Sequence, residues 1–436
     1  MMLSVPAPRS APRALPRGIP AVVDRHCSEA AFLYTLRRHY LLRGDVDLAD
    51  LVAFDERCEA HLDGLRTAQQ RGWQAAQRAL GEAGVGEVFV CALLAIEGGE
   101  WGRIVPVLSI VEAQESLWPG LLGAFGWASP TDLRGTVKSL LASESPFYRR
   151  VGLAACAIQR VDPAQPLVDA CSDSDDAVRA RGLRAAGELG KLELLRLCLP
   201  ALEDSNAECR FWAAWSAVLL GDRADALAAL VGVALLAPGA PATHRRMALR
   251  LSLETCKVDR GQELLRALRE DASARRLVIE GVGWAGNPRY VPWLIEQMAD
   301  PDLARAAAEA FGTLTGAVLS SGPAVRTDPE PDAGDAAEQE AVFSDADEGL
   351  AWPSLARVES WWAAHGSRLK EGQRHFLGAP PTEGRCAQIL SAGLQRHRLA
   401  AAEHLCLQRP GAMLFDVKAP AWRQRRALAA MGVAGA

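Results

Sequence analysis

Few residues of this chain have types and spacings that would support catalysis or metal binding. His397, His404 and Cys406 carry groups that bind zinc, but their separations of seven and two residues do not form a metal-binding face on a helix. His61 with Asp63 has a spacing more typical of helix packing. The sequence contains no P-loop, no GxSxG and no HExxH motif. We therefore expect a protein that is not an enzyme and that has no cofactor and no metal site.

Arginine is the residue type with the most regular spacing. Six arginines are separated by 30, 31, 35, 30 and 30 residues, namely Arg149, Arg179, Arg210, Arg245, Arg275 and Arg305. A planar guanidinium can donate two hydrogen bonds to one carboxylate. Aspartates recur in the intervening turns, and we expect them to pair with the arginines of neighbouring repeats: Asp175, Asp204, Asp271 and Asp300. The alternative is a row of free cations that binds phosphate groups or an acidic peptide.

The arginines belong to a repeated unit of about 30 residues. Four of them are followed eleven residues later by a glycine, and these glycines are typical of left-handed helix ends: Gly190, Gly221, Gly286 and Gly316. Each unit contains two short apolar-periodic stretches, which predicts an α-solenoid built of helix pairs. The sequence therefore predicts an all-α fold, with helical caps at both ends of the array.

Composition shifts divide the chain into five parts. We expect a disordered proline-rich arm at residues 1–20 and an N-terminal helical cap at 21–86. The repeat array follows at 87–319. An acidic segment at 320–350 is poor in apolar residues and predicted to be disordered. A C-terminal helical cap is expected at 351–436.

Bulk properties indicate a folded protein of the cytoplasm. Hydrophobic residues make up 49% of the chain, and the net charge is −5, which argues against a DNA-binding groove. The ten cysteines include no CxxC pair and lie in apolar text, as expected for buried free thiols in a reducing compartment. The first residues lack the apolar run of a signal peptide, and the longest apolar stretch, 226–237, is too short to span a bilayer.

The sequence around Arg179, with Asp175-Asp176-Ala177-Val178 before it and Ala185-Ala186 after it, resembles the bacterial HEAT repeat of the phycobilin-lyase type. This resemblance covers roughly residues 87 to 316 and implies a HEAT-like fold. The flanking stretches, including Trp361-Trp362 and residues 373–378, look like an uncharacterised family of bacterial HEAT-repeat proteins. Genes of that family often lie beside type VI secretion spike and effector genes. The resemblance implies an adaptor or accessory role and carries over no site residue.

In HEAT geometry, which the resemblance implies, the arginine helix of each pair lines a concave surface. Residues two, five and nine positions after the arginine should then face away from the core. We predict that such residues form a binding surface: Arg181, Arg184, Trp212, Trp215, Met247, Arg250, Leu277 and Trp284. Trp212 and Trp215 would form its centre because tryptophan and arginine are enriched at binding hot spots. The alternative is that helix tilt or a cap buries these side chains.

These features predict a binding protein whose partner is a helix or an extended segment of another protein. The preferred role is an adaptor or chaperone-like factor for type VI secretion cargo, and the acidic segment could fold back over Arg181, Arg184 and Arg250. The alternative is an enzyme built on HEAT repeats. A bilin-lyase-like enzyme would need a chromophore-sized pocket with polar groups, and a DNA-glycosylase-like enzyme would need a basic groove with an acidic residue.

Overall fold

A computed structural model describes residues 19–235, 241–318 and 347–433. Within these ranges the chain is built from helices, without a β-strand, so the all-α prediction is confirmed. None of the described helices is both long and apolar enough to cross a membrane. Most of the predicted arm at 1–20, and the acidic segment apart from its last four residues, 347–350, lie outside the described residues. The proposed folding of that segment over the groove therefore lies outside them too.

The first of two compact units comprises Met1–Arg37 and Ala53–Thr136. It contains all or part of the first seven helices: α1 (Pro20–Arg43), α2 (Leu48–Ala68), α3 (Gln70–Ala79), α4 (Val85–Glu97), α5 (Trp101–Ala113), α6 (Trp118–Trp127) and α7 (Pro130–Leu141). Tyr34 stacks on Phe89 at 3.8 Å between ring centroids, and the edge of Trp127 meets Phe89 at 5.3 Å. The unit extends past the predicted boundary at residue 86 because α4 packs against both α3 and α6.

The second unit comprises Arg38–Val52 and Val137–Ala436 and contains the regular helix pairs. The helices that carry the periodic arginines, called here the arginine helices, are α8 (Pro146–Gln159), α10 (Asp176–Glu188), α12 (Ala207–Leu219), α14 (Ala242–Thr255), α16 (Arg275–Ala285) and α18 (Ala304–Thr315). Intervening helices alternate with them: α9 (Gln165–Ala170), α11 (Leu195–Cys198), α13 (Asp225–Leu235), α15 (Val258–Arg269) and α17 (Val291–Gln297). Consecutive arginine helices pack against one another, as the solenoid prediction requires.

Local sequence explains where the arginine helices begin. Asp175 accepts hydrogen bonds from the backbone N–H groups of Ala177 and Val178, and Asn206 accepts them from the corresponding groups at the start of α12. These are N-cap interactions, which satisfy amides that have no partner inside the helix. The repeated Asp, Ser or Asn in the turns therefore sets the first turn of several arginine helices.

The C-terminal region forms four helices: α19 (Leu355–His365), α20 (Glu383–Ala392), α21 (Gln395–Gln408) and α22 (Ala421–Ala430). We predicted a cap on the far end of the repeat array, and α19 does lie there, packed against α17 with Trp361 edge-on to Phe311 of α18 at 5.6 Å. The later helices return along the array. Helix α21 packs against α12 and α14 in the middle of the array. Arg423 of α22 reaches back to donate to the carbonyl oxygen of Ile158 in α8 at 2.8 Å.

Candidate functional site

The arginine ladder mainly ties neighbouring repeats together. Arg179 donates two hydrogen bonds to Asp204, at 2.6 and 3.0 Å. Equivalent ion pairs join Arg149 to Asp173, Arg245 to Asp271 and Arg275 to Asp300. The predicted partners were therefore right for Asp204, Asp271 and Asp300. Asp175 was wrong, because it caps α10 and leaves Asp173 to bind Arg149.

The two tryptophans that were expected to lead the binding surface are buried. Trp212 keeps 6% and Trp215 keeps 3% of its surface exposed, so the prediction that both face outward was wrong. The Arg184 guanidinium lies 4.3 Å from the centre of the Trp212 ring, and His244 meets the same ring edge-on at 5.6 Å. Arg184 thus lies against a tryptophan, as expected, but its guanidinium covers the ring.

Arg181 and Arg184 are partnered by an acid on their own helix. Both guanidinium groups bind the Glu188 carboxylate, Arg184 through its Nε at 2.8 Å. Burial on its own would raise the pKa of Glu188, but the positive charges of Arg181, Arg184 and Arg160 lower it to about 2. Glu188 is therefore a permanent anion that satisfies the charge of these arginines. Arg181, whose side chain is only 11% exposed, is therefore a poor candidate for binding an acidic partner.

Arg250 is also satisfied within the chain. It donates to both carboxylate oxygens of Glu403 in α21, at 2.7 and 2.8 Å, and both side chains are buried. Such a two-point pair is geometrically specific and fixes the position of α21 on the arginine helices. The surface predicted for a partner protein is thus occupied at Arg250 by the chain itself.

The periodic glycines explain how the C-terminal region comes so close. All four have positive φ, so their predicted left-handed conformation is confirmed: Gly190, Gly221, Gly286 and Gly316. A Cβ at Gly286 would clash with the carbonyl oxygen of His375, and one at Gly190 would clash with that of Gly411. His375 also donates its backbone N–H to the Gly286 carbonyl oxygen at 2.8 Å. Each of these glycines therefore ends a helix and also leaves room for the backbone of the C-terminal region.

A cleft remains open beside the later arginine helices. Its volume is about 760 Å³, and α14, α16 and α18 form one side of it. Most of the rest comes from residues within 39–44, 348–350, 395–400 and 417–418, and from Phe376, all within the second unit. Three of the predicted binding residues line this cleft: Arg250, Leu277 and Trp284. Met247 is half-buried against the core and is not among the residues that line the cleft.

Charged side chains at the cleft are arranged in pairs around apolar residues. Arg246 has a side chain that is 54% exposed, donates to Glu280 at 2.6 Å and lies 5.2 Å above the Trp284 ring. Glu309 lies 2.7 Å from Arg396 and 3.1 Å from His397. Burial would raise the pKa of Glu309, but the hydrogen bond from His397 and the charge of Arg396 lower it. Glu309 is therefore an ionised carboxylate held in place by an arginine and a histidine.

Several cleft residues were not predicted from the sequence because they lie outside the helix positions two, five and nine residues after the arginine. Arg246 stands one residue after a ladder arginine, and Glu309 stands four residues after Arg305. Arg396 and His397 belong to the Gln395-Arg396-His397-Arg398 stretch, which resembles the repeat arginine motif in sequence. That likeness was the one available signal that this stretch would join the arginine helices.

The polar groups in the cleft do not form a catalytic triad. His397 lies between Thr313 and Glu309, but its Nε2 contacts both of them, at 3.4 and 3.1 Å. A nucleophile activated by a histidine needs the hydroxyl on one ring nitrogen and the carboxylate on the other. The arrangement is therefore suited to holding a fixed surface rather than to nucleophilic catalysis.

The other histidine and cysteine singled out in the sequence are also unsuited to chemistry. Burial lowers the pKa of His404 to about 3, helped by the charges of Arg374 and Arg250. Burial raises the pKa of the Cys406 thiol to about 12. All ten cysteines are free and buried, which confirms the prediction of buried thiols. Among the described residues, no group of three or more His, Cys, Asp or Glu side chains could hold a metal ion.

Comparison with known families identifies the repeats. Residues 164–253 match the family model of HEAT repeats. This stretch begins at α9 and ends within α14, so it includes the regular helix pairs that carry Arg179, Arg210 and Arg245. No curated protein matches the chain. The prediction of HEAT repeats is thus confirmed over these residues, and HEAT arrays generally serve as surfaces for binding other proteins.

Proposed function

We propose that the chain is a non-enzymatic scaffold that binds an extended segment of another protein in the 760 Å³ cleft. The observation that carries the proposal is the pair Leu277 and Trp284. Both are large apolar side chains that remain partly exposed, and both line a cleft that no described residue fills. Aromatic and arginine side chains in a concave pocket are the usual anchors of protein recognition.

The charges around the cleft favour a partner with both apolar and acidic side chains. Arg246 is half exposed over Trp284, so its outer N–H groups can reach a ligand while its inner face covers the ring. A guanidinium that stacks on an aromatic ring offers its edge for bidentate binding of a carboxylate. We therefore expect an apolar side chain to bind between Leu277 and Trp284, with a carboxylate next to Arg246.

We also propose the biological setting that the flanking sequences imply, an adaptor or chaperone-like accessory to type VI secretion cargo in the bacterial cytoplasm. The support for this setting is the resemblance of the stretches outside the repeats. It can be tested separately from the cleft. If the proteins bound by the chain in its own host include a secretion spike or an effector, the setting is supported. If they are unrelated to secretion, the setting is rejected.

The cleft is tested by a double variant, Leu277→Ser with Trp284→Ala, in the full chain. Captured from host cells, the wild-type protein should retain specific partners that the variant loses. Leu192→Ser is the matched control, because Leu192 is 49% exposed and does not line the cleft. Circular dichroism melts should show all three proteins folded. Equal retention of partners by the double variant would overturn the proposal.

An enzyme of the bilin-lyase kind is the second candidate, and the size of the cleft is the observation that favours it. A volume of 760 Å³ lies within the range of roughly 300–1,000 Å³ found for sites of bound small molecules. Mixing the full chain with a linear tetrapyrrole would test it. An unchanged visible spectrum would reject this candidate. A DNA-glycosylase-like activity is disfavoured, since most of the ladder arginines are already paired with aspartates.

A further inference from the structure

A second and smaller pocket lies among the intervening helices. Its volume is about 240 Å³, and it shares no residue with the cleft. One face of α15 supplies Gln262, Leu265, Arg266 and Arg269, which follow a helical spacing of three, four and seven residues. The floor of the pocket is apolar, formed by Leu265, Val278 and Val282, each of which is at most 2% exposed.

Three exposed arginines surround this pocket. Arg266, Arg269 and Arg289 have no ion pair and no side-chain hydrogen bond within the part of the chain that the structure describes. Arg260 on the same helix behaves differently, because it pairs with Glu263 at 2.5 Å. The three arginines therefore form a local positive patch on a chain whose net charge is −5.

Two aromatic residues complete the walls. Tyr290 and Trp293 are both half-buried, and both line the pocket. Burial raises the pKa of Tyr290, and the charges of Arg266, Arg289 and Arg269 oppose that rise. All three guanidinium groups are thus near enough to act on the same hydroxyl, and all three line the same pocket.

We propose that this pocket binds an acidic segment of a partner protein, with one apolar side chain in the pocket and flanking carboxylates on the arginines. The apolar floor takes the side chain, and the free guanidinium forks match carboxylates. The volume is below the range of roughly 300–1,000 Å³ typical of small-molecule sites, which fits one side chain better than a cofactor. This inference is independent of the cleft and of the function proposed for it.

The alternative of a nucleic-acid ligand is less consistent with the charge distribution. A protein that follows a phosphate backbone needs a continuous stripe of free cations. The ladder arginines of the repeats on either side are largely paired, as Arg245 is with Asp271 and Arg275 with Asp300. The three arginines of this patch instead surround one pocket with an apolar floor.

The proposal is tested by fluorescence anisotropy with the full chain and a labelled peptide, Glu-Glu-Leu-Glu-Glu. Binding should weaken as salt is raised, since the arginines are exposed. The variant Arg266→Gln with Arg289→Gln should bind about tenfold more weakly, because each exposed charge pair that is lost contributes a factor of about three. Arg260→Gln is the matched control on the same helix and should bind like wild type.

Two further peptides determine which part of the ligand matters. A peptide with glutamine in place of every glutamate should lose binding, and one with serine in place of leucine should bind more weakly. The double variant in the cleft, Leu277→Ser with Trp284→Ala, should bind the acidic peptide normally, so failure of either proposal can be recognised separately. Equal binding of the glutamine peptide, or preferred binding of a single-stranded oligonucleotide, would overturn the proposal. So would binding that appears only after deletion of residues 325–346, since the chain's own acidic segment would then be the occupant.

Discussion

Two neighbouring parts of the repeat array differ in what the residues at corresponding helix positions do. Two residues after the ladder arginine, Arg181 of α10 and Trp212 of α12 are used inside the chain, by Glu188 and by the core. In α16 the residue at this position, Leu277, lies at an open cleft together with Trp284 of the same helix. The difference shows that helix position determines which way a side chain points, whereas exposure depends on what packs over it.

The C-terminal region accounts for much of this difference. Leu414 donates its backbone N–H to the carbonyl oxygen of Glu188, and Arg160 donates to the carbonyl oxygen of Leu414. These contacts cover the earlier arginine helices at their C-terminal ends. Helix α21 then lies across α12 and α14, so that the cleft opens next to α16 and α18. The repeats themselves are similar, and it is the returning chain that makes them unequal.

The largest expected effect comes from removing a buried tryptophan. Trp215→Ala should lower the free energy of unfolding by about 3–5 kcal/mol, because a large cavity is left in the core. Trp284→Ala, at the cleft, should lower it by only about 1–2 kcal/mol, in the ordinary range for single substitutions. Urea unfolding of both variants measures the difference. Similar losses would mean that the two helices are equally covered.

A smaller effect is expected where the returning backbone meets a glycine. Gly286→Ala should lower the free energy of unfolding by about 1–3 kcal/mol, since its methyl group would clash with His375 at a positive φ. Gly232→Ala is the control, because Gly232 lies in α13 with open space around it. That change should stabilise the protein by about 0.5–1 kcal/mol. If thermal melts showed that both substitutions change stability in the same direction, the close approach of His375 to Gly286 would be contradicted.

The arginine ladder should also differ between the two parts of the array. Arg179 is 14% exposed and binds Asp204 at two points, so Arg179→Ala should lower the free energy of unfolding by about 1–3 kcal/mol. Arg275 is 55% exposed and has one contact with Asp300, so Arg275→Ala should lower it by less than about 1 kcal/mol. Chemical unfolding measures both. A larger loss of stability for Arg275→Ala than for Arg179→Ala would contradict this prediction.

Low pH should lower the free energy of unfolding through His404, which is buried in α21. The folded pKa of this histidine is lowered to about 3, so between that pH and about 6.5 the unfolded chain binds the extra proton. Stability should therefore fall as pH falls through this window. His404→Leu should make the slope shallower by up to about 1.4 kcal/mol per pH unit, as measured by unfolding at several pH values. An unchanged slope would show that His404 is hydrated in the folded protein.

The sequence predicted the features that repeat and missed those that occur once. The spacing of the arginines and glycines was enough to predict the helix pairs, the ladder and the left-handed helix ends, since each depends on contacts between neighbouring units. The pairing of Arg250 depends instead on Glu403, which lies far along the chain. The burial of Trp212 depends on Arg184 and on His244, and no other repeat has a histidine at the position of His244. No periodicity encodes such a contact. The prediction that the central residues are exposed was therefore wrong. Leu277 and Trp284 of α16, in contrast, do line a cleft.

The pair between Arg250 and Glu403 has a consequence during synthesis of the protein. The two residues are 153 positions apart, and ribosomes add about 5–20 residues per second. Roughly 8–30 s therefore pass between the synthesis of Arg250 and that of Glu403, the carboxylate that neutralises it. Throughout that interval the nascent repeats lack α21, and the apolar surface that it will bury is exposed. The newly made chain is thus most prone to aggregate, and most in need of a chaperone, just before its last helices emerge.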